Sequence, residues 1–268
     1  YGSSSDICNA IAYAADLEND TGTTFSEVSG GESISVINMS LGSTGSCQCQ
    51  SIIDQAVGQG ITIVASAGNH ASDVYGFPAS CDGVISVAAT NSRGIRSYYS
   101  AFNDLVDIAA PGGDANSIFG RGNFRDYVWA FDRDSGLVGY QGTSMAAPIV
   151  SGVIANLYAE KPSITPATVD GLVAKQMISN DRGPADYDPF YGAGVIDLLK
   201  GLRNARRSSR DAVTYVRPPS GVLLGLKSST TFSIQKEGRG QASVELPFSE
   251  TPALRFSRVN VDAVSYTH

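Results

Sequence analysis

The chain predicts an α/β fold, a doubly wound and mostly parallel sheet carrying a small β-rich appendage at its C-terminal end. Three features predict it. Short, nearly continuous apolar runs recur along the first part of the chain, as strands buried on both faces require. Stretches with helical spacing alternate with those runs, the order expected of a parallel sheet wound by helices. Beyond residue 202 the composition turns polar and rich in arginine, then breaks into short β-like runs between Gly, Pro and charged turns. With 268 residues, 42% of them hydrophobic, the chain can bury the core such a sheet needs.

Ile7, Cys8, Ile11, Ala14 and Ala15 line one face of a helix from Ser3 to Ala15, and Ser3 with Asp6 makes a capping box. Ser35 to Leu41 reads as a buried strand ended by Gly42. A helix is expected from Ser51 to Gln59, with Ile52, Ile53, Ala56 and Val57 on one face and Gly60 placed to end it. Further strands are expected at Ile61 to Ala65, Val84 to Ala89 and Leu105 to Ala109. Ala115 to Gly139, rich in Gly, Asp and aromatics, is expected as a long surface loop segment. Helices follow at Ser144 to Leu157 and Pro166 to Met177, the second capped by Thr165. Arg203, Arg206, Arg207 and Arg210 mark a linker over 203–212. It divides a domain over 1–202 from a β-rich segment over 213–268, whose runs are Val213 to Val216, Thr230 to Gln235 and Ser243 to Leu246.

Nineteen basic against twenty-six acidic residues give a net charge of −7, so no broad positive field exists to hold a phosphate backbone. Nucleic acid is not an expected partner. No apolar run approaches the roughly 20 residues of a membrane-spanning helix, so a membrane is not expected either. Tyr1 is no translation start, and a preceding segment of the precursor is expected. The four cysteines, Cys8, Cys47, Cys49 and Cys81, come with only two histidines, His70 and His268. The Cys47-Gln48-Cys49 spacing is too tight for a zinc knuckle, and no metal site is expected. Two disulfides and an oxidising compartment, extracellular or periplasmic, are the better reading, with buried free thiols the alternative. Three pairings are possible, and the spacing does not choose among them.

Gly142-Thr143-Ser144-Met145-Ala146-Ala147-Pro148 leads directly into an apolar helix. A serine at a helix N-terminus lies where free N–H groups and the positive dipole end stabilise negative charge. The plain alternative is an ordinary helix cap with Pro nearby. Ser66-Ala67-Gly68-Asn69 follows a buried strand, which puts an amide side chain at the carboxyl edge of the sheet, where ligands bind in open parallel sheets. Such an amide can donate to the oxyanion of an attacked carbonyl; the alternative is a simple Gly-Asn turn.

Together with Val36 to Gly42, Phe77-Pro78-Ala79, Ser100-Ala101-Phe102 and Asp107 to Gly112, in that order, these segments resemble the subtilisin-like serine peptidases over roughly residues 1–200. The resemblance implies Ser144 as nucleophile and Asn69 as oxyanion donor, assisted by the Ser144 backbone N–H. It implies that Ser40, Leu41 and Gly42 pair with extended substrate and that Ser66, Ala67 and Gly68 wall the pocket for the residue before the cut, with Gly142 and Thr143 beside them. Gly76 would sit at the base of that pocket, leaving room for a large apolar side chain, and the Phe77-Pro78 bond is expected to be cis. Similarity to the secreted bacterial branch favours Cys47 with Cys81 and Cys8 with Cys49. Structural calcium is possible, and no cofactor is required for the chemistry. Protein or peptide substrates are the implied partners.

The family works through Asp, His and Ser in that chain order, yet neither an Asp-bearing strand motif nor a His-Gly-Thr-His motif occurs here. Both are expected upstream of Tyr1, in a preceding segment of the same precursor that would act as a partner. His70 is expected to point away from Ser144 and His268 ends a separate tail, so neither suits as base. Without the true histidine, turnover is expected to fall roughly a millionfold, leaving the isolated chain nearly inactive. Two readings follow: a secreted serine endopeptidase completed from upstream, or a non-catalytic relative that binds extended peptides. An α/β-hydrolase is disfavoured, because Gly142-Thr143-Ser144-Met145-Ala146 lacks the second Gly of its nucleophile turn.

Overall fold

A computed structural model describes residues 2–116, 126–133 and 136–207, and the backbone of two strands beyond them. In chain order the elements are α1 (Ser4–Ala14), α2 (Phe25–Ser29), β1 (Val36–Met39), β2 (Ser43–Thr44), α3 (Gln50–Gly58), β3 (Thr62–Ser66), β4 (Gly76–Phe77), β5 (Val84–Thr90), β6 (Ile108–Pro111), β7 (Val128–Phe131), β8 (Leu137–Tyr140), α4 (Thr143–Glu160), α5 (Pro166–Ala174), β9 (Ser179–Asn180), β10 (Val195–Ile196), α6 (Leu198–Arg207), β11 (Ile234–Glu237) and β12 (Gln241–Val244). A six-stranded sheet in the order β1-β3-β5-β6-β10-β9 organises the domain. All neighbours in it are parallel except β10 and β9.

Helices cover both faces because successive residues of a strand point to opposite sides. Val64 of β3 joins Val87, Val150, Ile154 and Leu157 on the α4 face. Its neighbours Ile63 and Ala65 join Ile11 of α1 and Ile53 and Ala56 of α3 on the other. The Ser3 hydroxyl accepts from the Asp6 backbone N–H while the Asp6 carboxylate accepts from the Ser3 N–H, the expected capping box. Thr165 caps α5 through the Thr168 N–H. Cys8 is bridged to Cys49 and Cys47 to Cys81, so both cross-links meet at the start of α3.

Several expectations shift. The strand expected at Leu105 to Ala109 lies instead at Ile108–Pro111, because Leu105 and Val106 are buried in a turn held by the Asn103 side chain. Within the expected loop at 115–139, Val128–Phe131 and Leu137–Tyr140 pair as a hairpin. α6 carries helix five residues past the boundary expected at 202: Ala205 is fully buried, while Arg206 reaches out to Glu160. Of the β-rich C-terminal segment, the antiparallel pair β11–β12 is described, and the runs at 213–216 and most of 230–235 lie outside the described residues.

Candidate active site

The carboxyl ends of β3 and β6 and the first turn of α4 converge. β3 is buried at every position and ends at Ser66. The chain then turns at Gly68, whose φ of +114° favours glycine, and whose Cβ position would lie 2.5 Å from the His70 ring. Asn69 follows, and its Oδ1 accepts from both the Thr143 backbone N–H and the Thr143 hydroxyl, each at 2.9 Å. Two donors on the oxygen fix which way the amide faces. Its Nδ2 lies 3.5 Å from the position a Cβ on Gly142 would take. Gly142 itself, with φ +153° and ψ +158°, adopts a conformation open essentially to glycine alone.

The Gly142 N–H donates to the Gly112 carbonyl at 2.9 Å, tying the serine loop to the end of β6. The buried Tyr99 hydroxyl lies 2.8 Å from that same carbonyl and 2.7 Å from the Gly113 carbonyl. Burial pushes the Tyr99 phenol far up, so it stays a donor. Ser144 is half-buried in the first turn of α4, and its hydroxyl has no partner among the described residues. Its carbonyl accepts from the Ser40 hydroxyl at 2.8 Å.

The residues expected to face substrate gather around this point. The Ser66 hydroxyl donates to the Leu41 carbonyl at 3.3 Å, joining two of the proposed walls, and Leu41 is 43% exposed. β2 pairs antiparallel with β4, bringing Ser43 opposite Phe77 and Thr44 opposite Gly76. A Cβ on Gly76 would come within 3.3 Å of the Ser43 carbonyl and 3.9 Å of that of Ala67. Gly42 backs onto the Phe77 carbonyl, and Phe77-Pro78 is cis. Thr143, expected beside the pocket, is fully buried, with its hydroxyl donating to Asn69 Oδ1 and accepting from the Gly68 N–H. Asn38, Ser151 and Tyr99 also serve the site and were not anticipated. Asn38 could have been found as the polar break in an apolar run.

His70 packs on Gly68 with its Nε2 3.2 Å from the Val74 carbonyl, and His268 lies outside the described residues. No group of three or more His, Cys, Asp or Glu able to hold a metal occurs among the described residues. No helix among them is long and apolar enough to cross a membrane.

A model described as the subtilase family matches residues 2–194. The chain belongs to the subtilase family. Among its relatives, an extracellular protease of Xanthomonas campestris pv. campestris is 40% identical over 176 residues, covering 64% of this chain and 28% of that protein. A subtilisin of Bacillus pumilus is 32% identical over 168 residues, 61% of this chain and 54% of its own length. This subtilase chain thus spans from about a quarter to about half of these relatives. Among solved structures, a protease from Pseudoalteromonas arctica superposes with a TM-score of 0.60 at 29% identity, over 76% of this chain and 59% of that one. A lanthipeptide protease, at 22% identity and a TM-score of 0.60, shares the fold.

Proposed function

We propose that this subtilase chain carries the nucleophile and oxyanion site of a serine endopeptidase, completed by an Asp and a His from a segment preceding residue 1. The observation that carries the reading is the grip of Thr143 on Asn69 Oδ1, which spends the amide oxygen and leaves its NH2 for the Ser144 side. In the reaction, Ser144 Oγ attacks the scissile carbonyl as the histidine takes its proton, and the Asp orients the ring. The resulting oxyanion accepts from Asn69 Nδ2 and the Ser144 N–H. The imidazolium then protonates the leaving amine, and water hydrolyses the acyl-enzyme by the same route.

Leu41 and Gly42 would pair with extended substrate and Ser66, Ala67 and Gly68 would wall the pocket for the residue before the cut, over Gly76. No charge lines that set, so large apolar side chains suit it. The preceding segment would also supply a strand beside β1, which pairs only with β3 among the described residues. Without it, the isolated chain would be nearly inactive. Two disulfides, and a relative named as an extracellular protease, support an extracellular or periplasmic site of action on proteins or peptides.

The test is fluorophosphonate labelling of the full-length protein. Label mapped by mass spectrometry to Ser144, and lost in Ser144→Ala, is the expected result; a full-length protein that binds extended peptides but takes no label would instead be a binding module.

A further inference from the structure

Pro148 sits inside α4, two residues beyond Ala146 and four beyond Ser144. A proline has no N–H, so the carbonyl four residues before it loses its helical partner. That carbonyl belongs to Ser144. The Ser40 hydroxyl, arriving from the end of β1, donates to it at 2.8 Å. Ser40 Oγ in turn accepts from Asn38 Nδ2 at 2.9 Å, and Asn38 Oδ1 accepts from the Ser151 hydroxyl at 2.9 Å. The Ser151 oxygen also lies 3.0 Å from the Ala147 carbonyl, so the circuit leaves α4 at Ser144 and returns to it two turns on.

We infer that Ser40 is a positioning residue for the nucleophile: its hydroxyl replaces the helical hydrogen bond that Pro148 removes and so sets the first turn of α4 against β1. Asn38 orients that hydroxyl, since its amide donates to the oxygen and leaves the Ser40 proton for Ser144. Donation from this hydroxyl to substrate would require the proton it already spends on the Ser144 carbonyl. The inference rests on reading Ser144 as the nucleophile. A displacement of about 1 Å at a reacting atom can cost on the order of a hundredfold in rate, so a bond to the backbone carbonyl of the residue that carries that atom is placed to matter.

The test is a double-mutant cycle in the full-length protein, with Ser40→Ala, Pro148→Ala and the pair. Ser40→Ala alone should slow fluorophosphonate labelling and kcat about tenfold to a hundredfold with KM nearly unchanged, and Ser40→Thr, which keeps the hydroxyl, should recover most of the loss. In the Pro148→Ala background the new residue-148 N–H reaches the Ser144 carbonyl, and Ser40→Ala should then cost roughly twofold or less. Equal losses in both backgrounds, or a loss carried by KM, would overturn the inference and make Ser40 a substrate contact. Should the wild type take no label at all, the nucleophile reading fails by itself. The same cycle read by Tm still decides the coupling: Ser40→Ala must lower Tm with Pro148 present and not with alanine there, and equal shifts refute it.

Discussion

β1 and β5 carry the same kind of sequence and meet different surroundings. Val84–Thr90 is buried at every position, whereas of Val36–Met39 only Met39 is. Both are mostly apolar runs that read as strands sealed on two faces. α4 packs across both strands, but β5 has β3 on one edge and β6 on the other, while β1 pairs with β3 alone among the described residues. A sequence pattern records the burial a strand is made for, and the fold records the burial it receives. At β1 the two differ, and that is where the preceding segment proposed above would add a strand.

The proposed catalytic corner stands on the carboxyl ends of β3 and β6 and the first turn of α4, so damage there should be local and large. Asn69→Ala is expected to lower kcat of the full-length protein about 10²–10³-fold, the size known for the corresponding donor in subtilisin and not one derived from this chain. Steady-state kinetics on a peptide amide reads it; a loss below tenfold, or one confined to KM, would take the oxyanion role from Asn69.

Truncations on the two strands probe the contrast directly. Ile63→Ala removes a fully buried side chain of β3 and should cost about 2–5 kcal/mol by urea denaturation. Ile37→Ala, half-buried on β1, should cost no more than about 1 kcal/mol in the 268-residue chain. In the full-length protein the Ile37 cost should climb towards that of Ile63. Equal costs in the short chain would mean β1 is already sealed, and the contrast would collapse. The cross-links sharpen it from the other face: Cys8–Cys49 ties α1 to α3 behind β1 and β3, and Cys8→Ser with Cys49→Ser should cost about 2–4 kcal/mol. A double variant as stable as the parent would show that packing alone holds that layer.

The same contrast explains what could be read from the amino acids. β3 and β5, the capping box at Ser3 and the Thr165 cap announce themselves because local chemistry and final burial agree there. The β7–β8 hairpin did not, since Trp129, Phe131, Leu137 and Tyr140 stay about half exposed or more and no apolar-polar alternation results. β9 and β10 are two residues each, too short for any periodic signal. α6 was concealed by its arginines, although Leu198, Leu202 and Ala205 keep helical spacing and Ala205 is fully buried. At the proposed site, motif alone singles out Ser144 and Asn69. Thr143, Asn38 and Ser151 act through contacts between residues about 75 to 115 positions apart, which no local pattern carries.

Sealing also has a cost, and the buried Asp188, bridged to Gly192, measures it. Asp188 Oδ1 accepts from the Phe190 and Tyr191 N–H groups at 2.7 and 3.2 Å, while its Oδ2 is buried with no partner among the described residues. Burial pushes its carboxyl above the usual range. A native value above the unfolded one means that protonation favours the fold. That contribution is complete below the unfolded value, near 3.9, and is lost as pH rises through the native one. Asp188→Asn keeps the oxygen that accepts from Phe190 and removes the charge. It should therefore raise stability at pH 7 by on the order of 1 kcal/mol and lose that advantage at pH 3, where both side chains are neutral. Urea denaturation at the two pH values decides it: an equal gain at both would trace the effect to shape, and no gain at pH 7 would mean that Oδ2 has found water, leaving this loop less sealed than the strands beside it.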